Sequence, residues 1–147
     1  MADIGTFPTI RNVLWSGSNI FKMTATTLVK AGQVVAINAT GVSGAVDPCV
    51  AVAGSMPLGV ALYGAAAGAE VAIAGPGCIV YVANADDTAT VDAGNWVVFN
   101  DNTVGGTVSE YAAGAASIQA VGFAIDDIAA SGTGRVFLFP TLLVTHA

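Results

Sequence analysis

The residues that could do chemistry are few, and their spacing is poor for it. His146 is the single histidine and stands one place from the end of the 147-residue chain. A catalytic base must be held firmly against its nucleophile, and a chain end is a weak support for one. No HExxH, GxSxG or phosphate-cradling glycine loop occurs. Two carboxylate pairs, Asp86-Asp87 and Asp126-Asp127, come nearest to an acid/base site. Both sit in turn-like sequence, where Asp caps and solvates loops, and adjacent residues on a strand point to opposite faces. They read as loop residues. Asp86, Asp87 and Asp92 would allow a weak calcium site, but no EF-hand spacing supports it, so no metal is assigned. Cys49 and Cys78 lack metal-ligand spacing and any CxxC. They read as two small buried apolar residues, with a disulfide between them the open alternative. Trp15 and Trp96 could stack on sugar rings, yet Trp96 lies inside a strand-like run and reads as core or interface. The expectation is a non-enzyme with no catalytic residue and no cofactor.

Composition points the same way. Charged residues make up 10% of the chain, against about 25% in a typical soluble protein. Hydrophobic residues reach 54%, much of it Ala and Val, and the mean hydropathy is +0.73. Apolar surface in such excess usually ends in a subunit interface or a partner's groove, so assembly is expected. The net charge is −6, and the only cations are Arg11, Lys22, Lys30 and Arg135. Without a Lys/Arg cluster, binding to nucleic acid phosphates or to an anionic membrane surface is not expected. The opening Met1-Ala2-Asp3-Ile4-Gly5 shows no basic and apolar regions of a secretory signal, and none is expected. The uncharged stretch from Pro48 to Ala69 is long enough to span a bilayer, but Gly54, Pro57, Gly59, Gly64 and Gly68 break it into short pieces.

Strand signals dominate the elements that would position any site. Val34–Ile37, Val71–Ile73, Cys78–Val82, Trp96–Phe99 and Val136–Phe139 are short, rich in β-branched and aromatic residues, and bounded by Gly, Pro, Asn or Asp. At most one short helix is expected, over Ala112–Ala120 or as a single turn at Asp126–Ala130. Turns spaced about ten residues apart indicate a sandwich or barrel.

An internal repeat organises the chain. Ala31-Gly32-Gln33-Val34-Val35-Ala36-Ile37-Asn38 matches Ala93-Gly94-Asn95-Trp96-Val97-Val98-Phe99-Asn100, with the glycines 62 residues apart. Leu58-Gly59-Val60-Ala61-Leu62 matches Val121-Gly122-Phe123-Ala124-Ile125, with the glycines 63 apart. Residues 67–73 pair with 131–137 in the same reading. Two such units, at about 24–80 and 90–140, could pair and close a small barrel, which removes exposed sheet edges. Residues 1–23 then form an N-terminal arm with apolar anchors, 24–140 an all-β barrel domain, and 141–147 a C-terminal tail.

The run Leu28-Val29-Lys30-Ala31-Gly32-Gln33-Val34-Val35, then Pro57-Leu58-Gly59-Val60-Ala61-Leu62, then Ala65-Ala66-Ala67-Gly68-Ala69-Glu70-Val71-Ala72-Ile73, resembles the capsid decoration (cement) proteins of tailed viruses, the DUF2190-like group. Ala93–Phe99 and Val121–Ala124 fill the later positions of that pattern. The resemblance implies a small β-barrel or β-tulip, a homotrimer, and a place on the outer surface of the capsid head. There it would bridge major capsid protein subunits and stabilise the shell. On that reading the arm orders on the capsid, with Phe7, Arg11 and Trp15 as contacts. The alternatives are another virion structural piece, such as a tail-tube or fibre domain, and, behind it, a carbohydrate-binding module.

Overall fold

A computed structural model describes residues 19–37, 44–48, 57–84, 89–99, 106–111 and 118–143. Ten strands make up its regular structure, and no helix occurs among the described residues. In chain order they are β1 (Ile20–Ala25), β2 (Val34–Ile37), β3 (Ala45–Pro48), β4 (Pro57–Ala61), β5 (Glu70–Ala74), β6 (Ile79–Ala83), β7 (Trp96–Phe99), β8 (Val108–Glu110), β9 (Ile118–Ala124) and β10 (Thr133–Leu143). The first five close into a barrel in the order β1-β3-β2-β4-β5, with β1 pairing antiparallel to β5 and parallel to β3. The last five form a sheet in the order β6-β10-β9-β7-β8. The fold is all-β and a small barrel, as expected.

Of the helix candidates, the window Ala112–Ala120 runs into β9 at residues 118–120, and the rest of it lies outside the described residues. At Asp126–Ala130, Ile128 forms a bridge with Val91 and is fully buried, which pulls the segment flat against its neighbour. Two boundaries also move. β1 begins at Ile20, inside the stretch read as arm, and β10 runs on to Leu143, into the stretch read as tail. Ile20, Lys22 and Thr24 point out while Phe21, Met23 and Ala25 turn inward, a period-2 pattern suited to a barrel wall.

The two strand sets share one backbone plan. Strand order matches when β1 is set against β6, β2 against β7, β3 against β8, β4 against β9 and β5 against β10. The parallel contact Ala25–Val46 that closes the barrel returns as the isolated parallel bridge Asn84–Val108. The bridges Val29–Ala65 and Val91–Ile128 also correspond. Gly32 N–H donates to Ala61 C=O at 2.7 Å, and Gly94 N–H to Ala124 C=O at 2.8 Å. A register shift falls between Val35 and Ala36 in one copy and between Val97 and Val98 in the other.

A glycine beside that shift is required in each copy. A Cβ on Gly59 would lie 2.2 Å from the Ala74 carbonyl oxygen, and one on Gly122 would lie 1.9 Å from that of Phe137. The backbone of the strand on the other side, β5 or β10, occupies the space a side chain needs. The turn before β5 and β10 corrects the third segment of the repeat. Gly68 has φ +81, and its counterpart by strand pairing is Ser131 (φ 54), one residue before the glycine the sequence match selected. Backbone conformation, not residue identity, sets the register there.

Two cores result. The first barrel encloses Ala25, Val29, Val35, Val46, Ala61, Ala65, Val71 and Ile73. The second core joins the inward residues of the second sheet, among them Val80, Val82, Val97, Val121, Val136 and Leu138, to outward residues of the first barrel, Val34, Ala36, Val60 and Ala74. The second sheet therefore packs on the outside of the first barrel. Replacing Gly122 with Ala should cost at least about 2 kcal/mol, because the clash is with backbone and cannot relax by rotamer change. Urea unfolding monitored by far-UV circular dichroism measures it, and the same change at the exposed turn glycine Gly44 should cost about 1 kcal/mol from its positive φ alone.

Candidate functional site

The structure separates the residues that might have done chemistry. The Asp126 carboxylate is taken up by Arg135, with Nε at 2.7 Å from Oδ2, Nη2 at 2.5 Å from Oδ1, and the Arg135 backbone N–H at 3.2 Å. This ties the turn after β9 to β10. The Arg135 guanidinium, through these hydrogen bonds, holds the Asp126 carboxyl below the usual carboxylate range. Asp127 turns the other way and accepts the Ala93 N–H at 2.8 Å. The two carboxylates do not converge on a common point, in keeping with their reading as loop residues. Among the described residues no group of three His, Cys, Asp or Glu side chains could hold a metal ion. Cys78 is buried, with Sγ 3.8 Å from the Asn19 carbonyl oxygen. Cys49, Asp86, Asp87 and His146 lie outside the described residues, as do Phe7, Arg11 and Trp15.

What the second sheet presents instead is an aromatic face. Ile79 on β6 pairs with Phe137 on β10, Phe137 with Phe123 on β9, and Phe123 with Trp96 on β7. Four strands thus contribute one cross-strand row, on the face opposite the inward Val97, Val121 and Val136. Phe123 and Phe137 stack with centroids 5.1 Å apart and planes at 21°. Trp96 meets Phe123 edge-to-face at 6.0 Å and 88°. Phe139, two residues along β10, adds a further contact to Trp96 at 6.4 Å. These geometries fit the ring quadrupoles, so the cluster holds its own shape. It is nevertheless open to solvent, with Phe123 36% and Phe139 51% exposed.

The matching row on the first barrel is Ile20–Ala74–Val60–Val34, joined by the same pairings. Ala74, Val60 and Val34 are 0–1% exposed because the second sheet covers them. Trp96, expected in a core or interface, sits half-buried on the outer face. The pairs Val34/Trp96 and Val60/Phe123 stand within the repeat itself. Exchange of a small aliphatic for an aromatic at equivalent positions was the signal for this face. Phe137 and Phe139 escaped because the third repeat segment was matched one residue out of register.

The fold has a counterpart among solved structures. It is similar to the head fiber gp8.5 N base in bacteriophage phi29, with a TM-score of 0.58 and 14% sequence identity, covering 86% of this chain and 98% of that one. No family model and no curated protein matches the sequence.

Other surface charge does little. Lys22 and Glu70 form an ion pair at 3.1 Å across β1 and β5, both well exposed, and such pairs are worth little in water. The Asp126–Arg135 pair is better placed, because it joins side chain and backbone across one turn. Its contribution is full above the usual carboxylate range and disappears as pH falls through the lowered pKa of Asp126. Asp126→Asn should therefore lower stability by about 0.5–1 kcal/mol near neutral pH, a difference that shrinks as the pH is taken below the usual carboxylate range. Paired thermal melts of the two proteins across that range measure it.

Proposed function

We propose that this chain is a structural protein of a tailed-virus particle, a decoration protein that sits on the outer surface of the capsid head. The observation that carries this reading is the likeness of its backbone, over most of both chains, to the base of a phage head fibre. The resemblance of the repeated segments to capsid decoration proteins supports it independently. Its physical demands are also met. A shell clamp works through many weak contacts multiplied by symmetry and needs no pocket or reactive group. In this reading the chain is a homotrimer that bridges neighbouring major capsid protein subunits. Its N-terminal arm lies on the shell, with Phe7 and Trp15 as apolar anchors and Arg11 as a polar contact.

The same likeness favours a second reading, in which the chain is the base of an appendage such as a head fibre. Mixing the purified chain with undecorated heads and imaging them separates the two. Density at every equivalent site across the shell supports a cement role, and density at a few positions supports an appendage base. No binding removes both. Deletion of residues 1–18, which leaves β1 whole, should weaken head binding by at least about tenfold. Unchanged binding would sink the role given to the arm.

A further inference from the structure

The duplication supplies a test of what each face is for. Both strand sets carry the same cross-strand row at the same place: Ile20–Ala74–Val60–Val34 in the first, Ile79–Phe137–Phe123–Trp96 in the second. In the first set Ala74, Val60 and Val34 of that row are a packing face, covered by the second copy of the same unit and merged into its core, while Ile20 at its edge stays exposed. In the second set the row has no cover among the described residues, although it carries far more apolar area. We propose that the row Ile79–Phe137–Phe123–Trp96, with Phe139 beside it, is the face through which copies of this chain associate.

Three observations favour a second copy as the occupant. The equivalent row of the first set is already a sheet-packing face, with Val34, Val60 and Ala74 covered by the second copy of the repeat, so this is a position at which the fold accepts a further sheet layer. The row bears no charge, and the cation bordering it, Arg135, is already neutralised by Asp126 at 2.5 Å. Two like chains, each of net charge −6, can therefore meet here without burying an unpaired charge or opposing two like ones. The residue types are also those of interface anchors. Trp and Phe give large contact areas at low entropic cost, and the stacked and edge-on packing of these rings means they are ordered before any partner arrives. The inference goes beyond the capsid reading and needs no shell to be present.

Sedimentation equilibrium of the full chain from about 1 to about 100 µM tests it, a range that brackets a standard interface of moderate affinity. A discrete mass above the monomer is expected. Phe123→Glu and Phe139→Glu should each raise the dissociation constant by at least about tenfold. Tyr63→Glu, at an exposed apolar position on the first barrel, should leave it unchanged. Far-UV circular dichroism confirms that each variant is folded, and Phe139, at 51% exposure, is the substitution the fold tolerates most easily. In a Trp15→Phe background Trp96 is the sole tryptophan, and its emission should shift to the red as dilution separates the copies. A chain that stays monomeric throughout, or folded Glu variants that associate as tightly as the parent, would overturn the proposal. So would a monomer whose Trp96 emission is already blue and independent of concentration, since the row would then be covered by the chain's own residues.

Discussion

Val34, Val60 and Ala74 lie in one row on the outside of the first barrel, and the second sheet packs over them. Most features of the chain follow from that contact. Because the barrel interior is filled by Val35, Ala61, Val71 and Ile73, strands β2, β4 and β5 are apolar on both faces. Strands buried on both sides lose alternation and read as continuous runs, here Val34-Val35-Ala36 and Val71-Ala72-Ile73-Ala74. The outward residues must also be small, since two backbone layers approach closely at this point. Val34 N–H donates to the Gly106 carbonyl at 2.8 Å, and a Cβ on Gly106 would meet Gln33 Cβ at 2.8 Å. The excess of Ala and Val and the scarcity of charge are consequences of burying a sheet twice.

The duplicated unit keeps its backbone and lets its surfaces diverge. What is common to both copies is what geometry cannot surrender: the bulge glycines Gly59 and Gly122, the left-handed turn residues Gly32 and Gly94, and the paired bridges Val29–Ala65 and Val91–Ile128. At the turn before the last strand of each unit, the requirement is for a left-handed residue, and Ser131 meets it where the first copy uses Gly68. The closing contact differs more. The first barrel closes with paired residues of β1 and β3, while the second set has the Asn84–Val108 bridge. There the buried Asn84 side-chain amide adds hydrogen bonds to the carbonyls of Ala89, Ile128 and Ala129. Side chains thus add to the closure in both copies, since in the first the Thr26 and Thr27 hydroxyls donate to Asp47 on β3.

The strands anticipated from β-branched and aromatic runs are the strands found, β2 and β7 to the residue. β3 and β8 were not anticipated, and the reason is physical. Ala45-Val46-Asp47-Pro48 and Val108-Ser109-Glu110 carry little β signal of their own. They are held by pairing with the strands just before them, β2 and β7, and β3 also by β1, rather than by their own residue preferences. β1 was hidden by its charged and polar outward residues, Lys22 and Thr24, which a barrel exterior accepts and a simple search for apolar runs rejects. The aromatic face was half-visible in the repeat, yet recognising it required strand register, which brings Phe137 beside Phe123 across a 14-residue separation. Of the arm residues singled out, the described structure contains none.

A chain without a reactive constellation must act through its surfaces, and the duplication shows how two surfaces can come from one. The first unit fills its own interior and leaves an outward row over. Joining two units end to end satisfies one of the two outward rows, because the second sheet covers the first barrel. The other row cannot be satisfied inside the same chain by the same relation, since that would need a third unit. Substituting polar residues would remove the problem in a monomer. Here the row has instead become larger and more apolar, from Val34, Val60 and Ala74 to Trp96, Phe123 and Phe137. Packing of the rings on one another recovers part of that area in an isolated chain, but Phe123 and Phe139 remain partly in water. The remainder is recovered only where another surface removes it from water, and the sheet thereby places its largest transferable apolar area at the point where the intramolecular repeat runs out.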